Sequence, residues 1–181
     1  MFAALSLGTN YALIDIPNVK LMDALVFLAA FLFGLKVGVA VAVSTWGVYG
    51  SVNPYGQDDL ILLSFLIIGE CFYAVGASVL KRTTVAQDLL GAKRGYGRFS
   101  LVVGVTGLLA TFAYDLMTNF ASWIFRTNSL YAAFLIGTVT GAPFSLLHEG
   151  SNLVFFATVV PSAIIAARRL GRNASTEPRT K

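Results

Sequence analysis

His148, Glu149 and Asn152 sit inside the otherwise apolar run PFSLLHEGSNLVFFATVVP at 143–161. Asp115 and Asn119 interrupt a second apolar run, and Glu70 a third; these read as the only comparable intrusions. If such runs cross a bilayer, no water reaches these groups. Ionisable side chains then face a cavity or a partner and are candidates for function. Their types suit hydrogen bonding to a small molecule, proton transfer, or an internal polar network that fixes helix packing. Asp115 and Asn119 are four residues apart, as are His148 and Asn152, so on helices each pair lines one face. Glu149 lies about 100° around from His148, towards the cavity or the outer loop.

Other chemistries lack their signatures. One histidine in the chain argues against a His-based metal site, and no cofactor is expected. There is no Gly-x-Ser-x-Gly nucleophile motif and no Cys–His pairing with a recognisable spacing. The stretch GAKRG at 91–95 is not a phosphate-binding loop, so ATP-driven transport would need an ATPase on a different chain.

The elements that must position these residues are membrane helices. The chain is 56% hydrophobic and 12% charged, with a mean hydropathy of +0.74; soluble domains are about 25% charged. The expected fold is an all-α integral membrane protein, a bundle of six transmembrane helices over 1–170 with a basic polar tail at 171–181. Cys71 is the single cysteine and has no intrachain disulfide partner. Ten of the thirteen basic residues fall in two clusters: Lys81, Arg82, Lys93, Arg94 and Arg98, then Arg168, Arg169, Arg172, Arg179 and Lys181. Confined in this way, they mark cytoplasmic loops rather than a nucleic-acid surface.

Residues 1–13 are apolar but short of the roughly 20 needed to span the hydrocarbon core, and no basic segment precedes them as in a secretory signal. Ala4, Gly8 and Ala12 recur every four residues, a smooth stripe for contact with another helix, either of a partner or of the same bundle. DIPNVK at 15–20 is a loop. Runs at 21–33 and 37–49 flank Gly34, Lys36 and Gly38; one helix through both would bury Lys36, so two short helices with a tight hairpin are expected. SVNPYGQDD at 51–59 is an acidic outer loop. Full spans follow at 60–80, with Glu70 near the middle, and at 99–120.

Residues 130–142 and 144–167 read as two spans or as one. Only one crossing after 99–120 keeps both basic clusters on the same side. Residues 130–142 are therefore expected as a short, partly inserted segment, with Pro143 starting the last helix and Pro161 kinking it. Both termini are then cytoplasmic. This topology brings Asp115, Asn119, His148, Glu149 and Asn152 to one depth near the outer face, with Glu70 near the midplane and Trp46, Tyr49, Tyr55 and Trp123 as aromatic surface. Such a cavity suits a flat heteroaromatic ligand, and its excess of acids favours a neutral or cationic one.

The chain resembles the substrate-binding S component of energy-coupling-factor (ECF) transporters, the vitamin and micronutrient uptake systems of prokaryotes. The likeness lies in FLFGLKVG at 31–38, VSTWGVYGSVNPYG at 43–56, YDLMTN at 114–119 and GAPFSLLHEGSNLVFFATVVP at 141–161. It implies a multi-pass binding subunit of the cell membrane, without catalytic activity. The ligand would sit near the outer face under the loops after helices one, three and five. The partners would be a membrane scaffold (T) subunit and two ATP-binding-cassette ATPases. Ligand contacts carried over are Asp115, Asn119, His148 and Asn152, with Asn18 and Asn53 in the capping loops; Glu149, Glu70, Trp46 and Tyr49 complete the candidate set. The family's small-residue motif on helix one corresponds to Ala4 and Gly8, with a glycine in place of one alanine. A thiamin-like vitamin or riboflavin fits the lining better than a carboxylate such as biotin or pantothenate. Two alternatives remain: an intramembrane enzyme using Glu70, Asp115 or His148, and a stand-alone transporter with Glu70 or Asp115 as its proton site, although no inverted repeat is visible.

Overall fold

The structure, a computed structural model, describes residues 1–53, 58–92 and 95–176, apart from the side chains of 89–92 and 171–176. Among the described residues every regular element is a helix: α1 Phe2–Ala12, α2 Met22–Phe33, α3 Leu35–Val52, α4 Leu60–Leu80, α5 Thr84–Ala92, α6 Tyr96–Ala121 and α7 Leu130–Thr176. By length and apolarity α3, α4, α6 and the Leu130–Leu170 part of α7 can each cross a membrane, and α2 is a shorter apolar helix. The chain is an all-helical membrane protein. Tyr55, Lys93, Arg94, Arg179 and Lys181 lie outside the described residues, as does the side chain of Arg172.

The hairpin expected around Gly34 is present, and it is tighter than the sequence suggested. Gly34 alone separates α2 from α3, with φ 102° and ψ 163°, a conformation open almost only to glycine. The reversal leaves Lys36 exposed at the end of the bundle. Within the hairpin Gly38 lies against Ala30 and Ala74, where a larger side chain would collide. At the opposite end Asp59 caps α4, its carboxylate accepting from the backbone N–H of Ile61 (3.0 Å) and Leu62 (2.8 Å).

α6 and α7 run antiparallel in close contact. The Phe156 ring covers Gly107, Gly104 faces Ala157, and Tyr96 Oη lies 3.1 Å from Ser162 Oγ. This last pair sets the start of α6 beside the far part of α7. Lys81 Nζ donates to the Leu32 carbonyl (3.4 Å), bringing the end of α4 to the Gly34 reversal. Arg82, Arg98, Arg168 and Arg169 thus share one end of the bundle, as the charge pattern requires.

One expectation is overturned. Residues 130–142 are not a separate, partly inserted segment, and Pro143 does not start the last helix. Both belong to α7, a 47-residue helix with Pro143 and Pro161 in its interior. A proline inside a helix strips the carbonyl four residues earlier of its donor. For Pro161 that carbonyl belongs to Ala157, and the Ser100 hydroxyl of α6 donates to it instead. Membrane helices tolerate prolines where a neighbour supplies such a replacement. A single crossing after α6 also satisfies the charge pattern, so the half-insertion it seemed to demand is unnecessary.

α1 has 11 residues, about 16 Å of helix and half a hydrocarbon core. It lies against the hairpin, Phe2 on Phe33 and Tyr11 on Tyr49, with ring centroids 5.9 and 5.6 Å apart. Ser6 and Asn10 face inward, whereas Ala4, Gly8 and Ala12 are exposed and no atom approaches the Gly8 Cβ position within 4 Å. The small-residue stripe is not covered by its own bundle.

Candidate functional site

At the end of the bundle opposite Gly34 lies a cavity of 440 Å³, within the usual range of small-molecule sites. Its cover is the α1–α2 loop, from Leu13 to Lys20. This loop turns at Asn18, whose φ of 56° is left-handed and is tolerated by asparagine better than by most residues. Trp46 and Tyr49 form one wall, their rings 5.8 Å apart at 76°. Tyr114, Asp115, Asn119 and His148 form the other, with Asn53 and Asp58 at the rim. Lys20 reaches in from the cover, its Nζ 4.9 Å from the Trp46 ring centroid and 5.8 Å from that of Tyr49. Burial pushes the Asp58 carboxyl up from its ordinary pKa; the charge of Lys20 opposes the rise and neighbouring Asp59 adds to it.

Behind the cavity a polar chain runs through the apolar interior. His148 is held from both sides: Nδ1 lies 2.8 Å from Asp115 Oδ1, and Nε2 lies 2.7 Å from Asp23 Oδ2. Asp23 and His148 are almost wholly buried. Carboxylates only accept, so a ring donating from both nitrogens satisfies both contacts. One turn deeper the Asn152 amide donates to Asp23 (2.6 Å) and to Thr111 (2.8 Å). Thr111 also accepts from Tyr73 Oη (3.0 Å) and passes its own proton to the Gly107 carbonyl (2.8 Å). Four helices, α2, α4, α6 and α7, are thereby tied at one level.

The expected residues divide into groups. Asp115, Asn119, His148, Trp46, Tyr49, Asn53 and Asn18 all line the cavity. Asn119 also ties α6 to α7, its Nδ2 donating to Ser145 Oγ (3.0 Å) while Gly137 and Gly141 close over it. Asn152 lies below the cavity, in the polar chain. Glu70 is wholly buried and outside the lining, one carboxylate oxygen accepting from Trp46 Nε1 at 3.1 Å. Glu149 is half-buried and not in the lining. Trp123 follows α6 and is also absent from the lining.

Two central residues escaped the sequence reading, which counted no further intrusions. Asp23 stands second in α2, just after the polar loop, and so resembled the loop's margin; an acid in the first turn of an otherwise apolar helix was the available signal. Lys20 was assigned to the same loop with no role. Among the described residues no cluster of three or more His, Cys, Asp or Glu is placed to hold a metal ion. Both nitrogens of His148 are engaged by carboxylates, and the buried second oxygens of Asp115 and Glu70 have no hydrogen-bond partner among the described residues. Comparison with protein-family models, curated proteins and solved structures finds no match to the chain.

Proposed function

We propose that this chain is the high-affinity binding subunit of an ECF-type uptake transporter for a vitamin or related heteroaromatic micronutrient. The cavity carries the reading. It is sized for a small molecule and has rigid aromatic faces for stacking. Amide and carboxylate groups at its edge suit oriented hydrogen bonds. Both nitrogens of His148 are engaged by carboxylates, so the ring is fixed as part of the wall behind a ligand. The exposed Ala4, Gly8, Ala12 stripe is available to a membrane scaffold subunit, through which two separate ATPases would act. On this reading the arginine-rich end faces the cytoplasm of a prokaryotic cell and the cavity faces outward.

Native mass spectrometry of the detergent-purified protein, followed by identification of any released small molecule, tests the proposal. A stoichiometric vitamin or precursor supports it, and Asp115→Asn should then reduce retention. An empty protein with no thermal shift across a vitamin panel sinks it. The Asp23–His148–Asp115 array favours a second reading, a stand-alone proton-coupled carrier. Uptake by liposomes holding this chain alone, driven by a pH gradient, would establish that alternative.

A further inference from the structure

We infer that the cavity selects an organic cation, which takes the seat of the Lys20 ammonium on the Trp46 and Tyr49 rings. This rests on the solute-binding reading and narrows it to a charge class.

The aromatic corner is built to receive positive charge. Trp46 is 2% and Tyr49 5% exposed, so both rings are fixed by packing. The indole N–H donates to Glu70, which fixes the orientation of the Trp46 ring. A cation within about 6 Å of such faces is attracted by the ring quadrupole, and Lys20 satisfies that geometry with both rings.

Lys20 is well suited to give way. It stands on a loop, at the end of a flexible stem. Among the described residues the only ion pairs within 4 Å are those of His148 with Asp23 and Asp115, so Lys20 has none. Its ammonium is held by the ring faces and by the longer-range fields of Asp58 and Asp115.

Charge then discriminates among ligands. Asp58 and Asp115 line the cavity, and Asp23 lies directly behind His148. An anion on the Trp46 face would meet these carboxylates. A neutral ring stacking there would expel Lys20 and leave Asp58 without a neighbouring cation, since His148 is engaged by Asp115 and Asp23. A flat cation replaces one positive charge with another, so the local balance is kept.

Three probes of nearly one shape test this: 1-methylnicotinamide (cation), nicotinamide (neutral) and nicotinate (anion). Binding to the full-length protein in detergent is followed by equilibrium dialysis. Fluorescence of Trp46 in a Trp123→Phe background serves as a second readout, since the chain has two tryptophans. The cation should bind tightest, and Lys20→Met should tighten it a further three- to tenfold, about the strength of one exchanged cation–π contact. Lys20→Arg, whose guanidinium stacks on aromatic faces more strongly, should weaken cation binding below the wild type, and Lys20→Gln stands in should the methionine variant fail to fold. Preference for nicotinate, weakened by Lys20→Met, would make Lys20 an anion anchor: the inference fails and the solute-binding reading survives. Equal binding of all three overturns the inference alone. If none binds, the charge of the molecule released in native mass spectrometry decides: a cation supports the inference, and a neutral or anionic one overturns it. No probe bound and no molecule released overturns both readings.

Discussion

Asp23 ties the polar chain together, for its Oδ2 receives both His148 and Asn152. Asp23→Ala strands the buried His148 Nε2–H and leaves the Asn152 amide only Thr111 and Tyr73, at about 1–3 kcal/mol for an unsatisfied group. The midpoint of thermal unfolding in detergent should fall clearly, and by less for Asp23→Asn, which keeps an acceptor oxygen. Unchanged midpoints for both would show that the chain is not structural. Asn18 gives a second test. Because its φ is 56°, Asn18→Val should strain the cavity cover and speed ligand loss, whereas Asn18→Gly should retain the ligand; equal dissociation rates would refute the strain. The sequence exposed polar groups only where they broke an apolar run. His148, Asp115 and Asn152 were legible for that reason, and Asp23, at a run's edge, was not. Which groups would meet could not be read, because that depends on the rotation of four helices against one another.

Among the elements, the α2–α3 hairpin was the most legible, since a lysine between two glycines could not remain in mid-membrane. Gly34→Ala should cost about 1–3 kcal/mol, the usual penalty for a residue forced into a glycine conformation, read as a lower unfolding midpoint; a neutral effect would contradict the geometry. The last helix was the least legible. Proline signals a helix start or a break in water, but here α6 supplies the missing partner. Ser100→Ala should remove that partner from the Ala157 carbonyl at about 1–2 kcal/mol. In the Pro161→Ala background the carbonyl regains its own helical N–H, so the same change should cost much less. A double-mutant cycle with no coupling would mean that the Ser100 contact does not serve the proline.

For the molecule as a whole, charge distribution says more than any motif. Arg82 and Arg169 lie at one end and Asp15 at the other, all exposed. With Cys71 replaced by serine, single cysteines at 82 and 169 should react with a membrane-impermeant maleimide from the same side of sealed vesicles, and one at 15 only from the opposite side. Opposite accessibility of 82 and 169 would break the topology. Helical class was therefore legible from composition, while the continuity of α7 was not. That continuity ties the cavity wall to the surrounding lipid. The 41 residues of Leu130–Leu170 measure about 60 Å along the axis, twice the hydrocarbon thickness. The helix must tilt, bend at its prolines or run out beyond the lipid. Phe144 and His148 ride on it at the cavity wall, so any change in its angle would displace two groups of the lining. Lipid chain length is then an experimental handle: ligand retention is expected to differ between vesicles of short-chain and long-chain lipid, and equal retention in both would show that the fit of α7 to the bilayer does not reach the chamber.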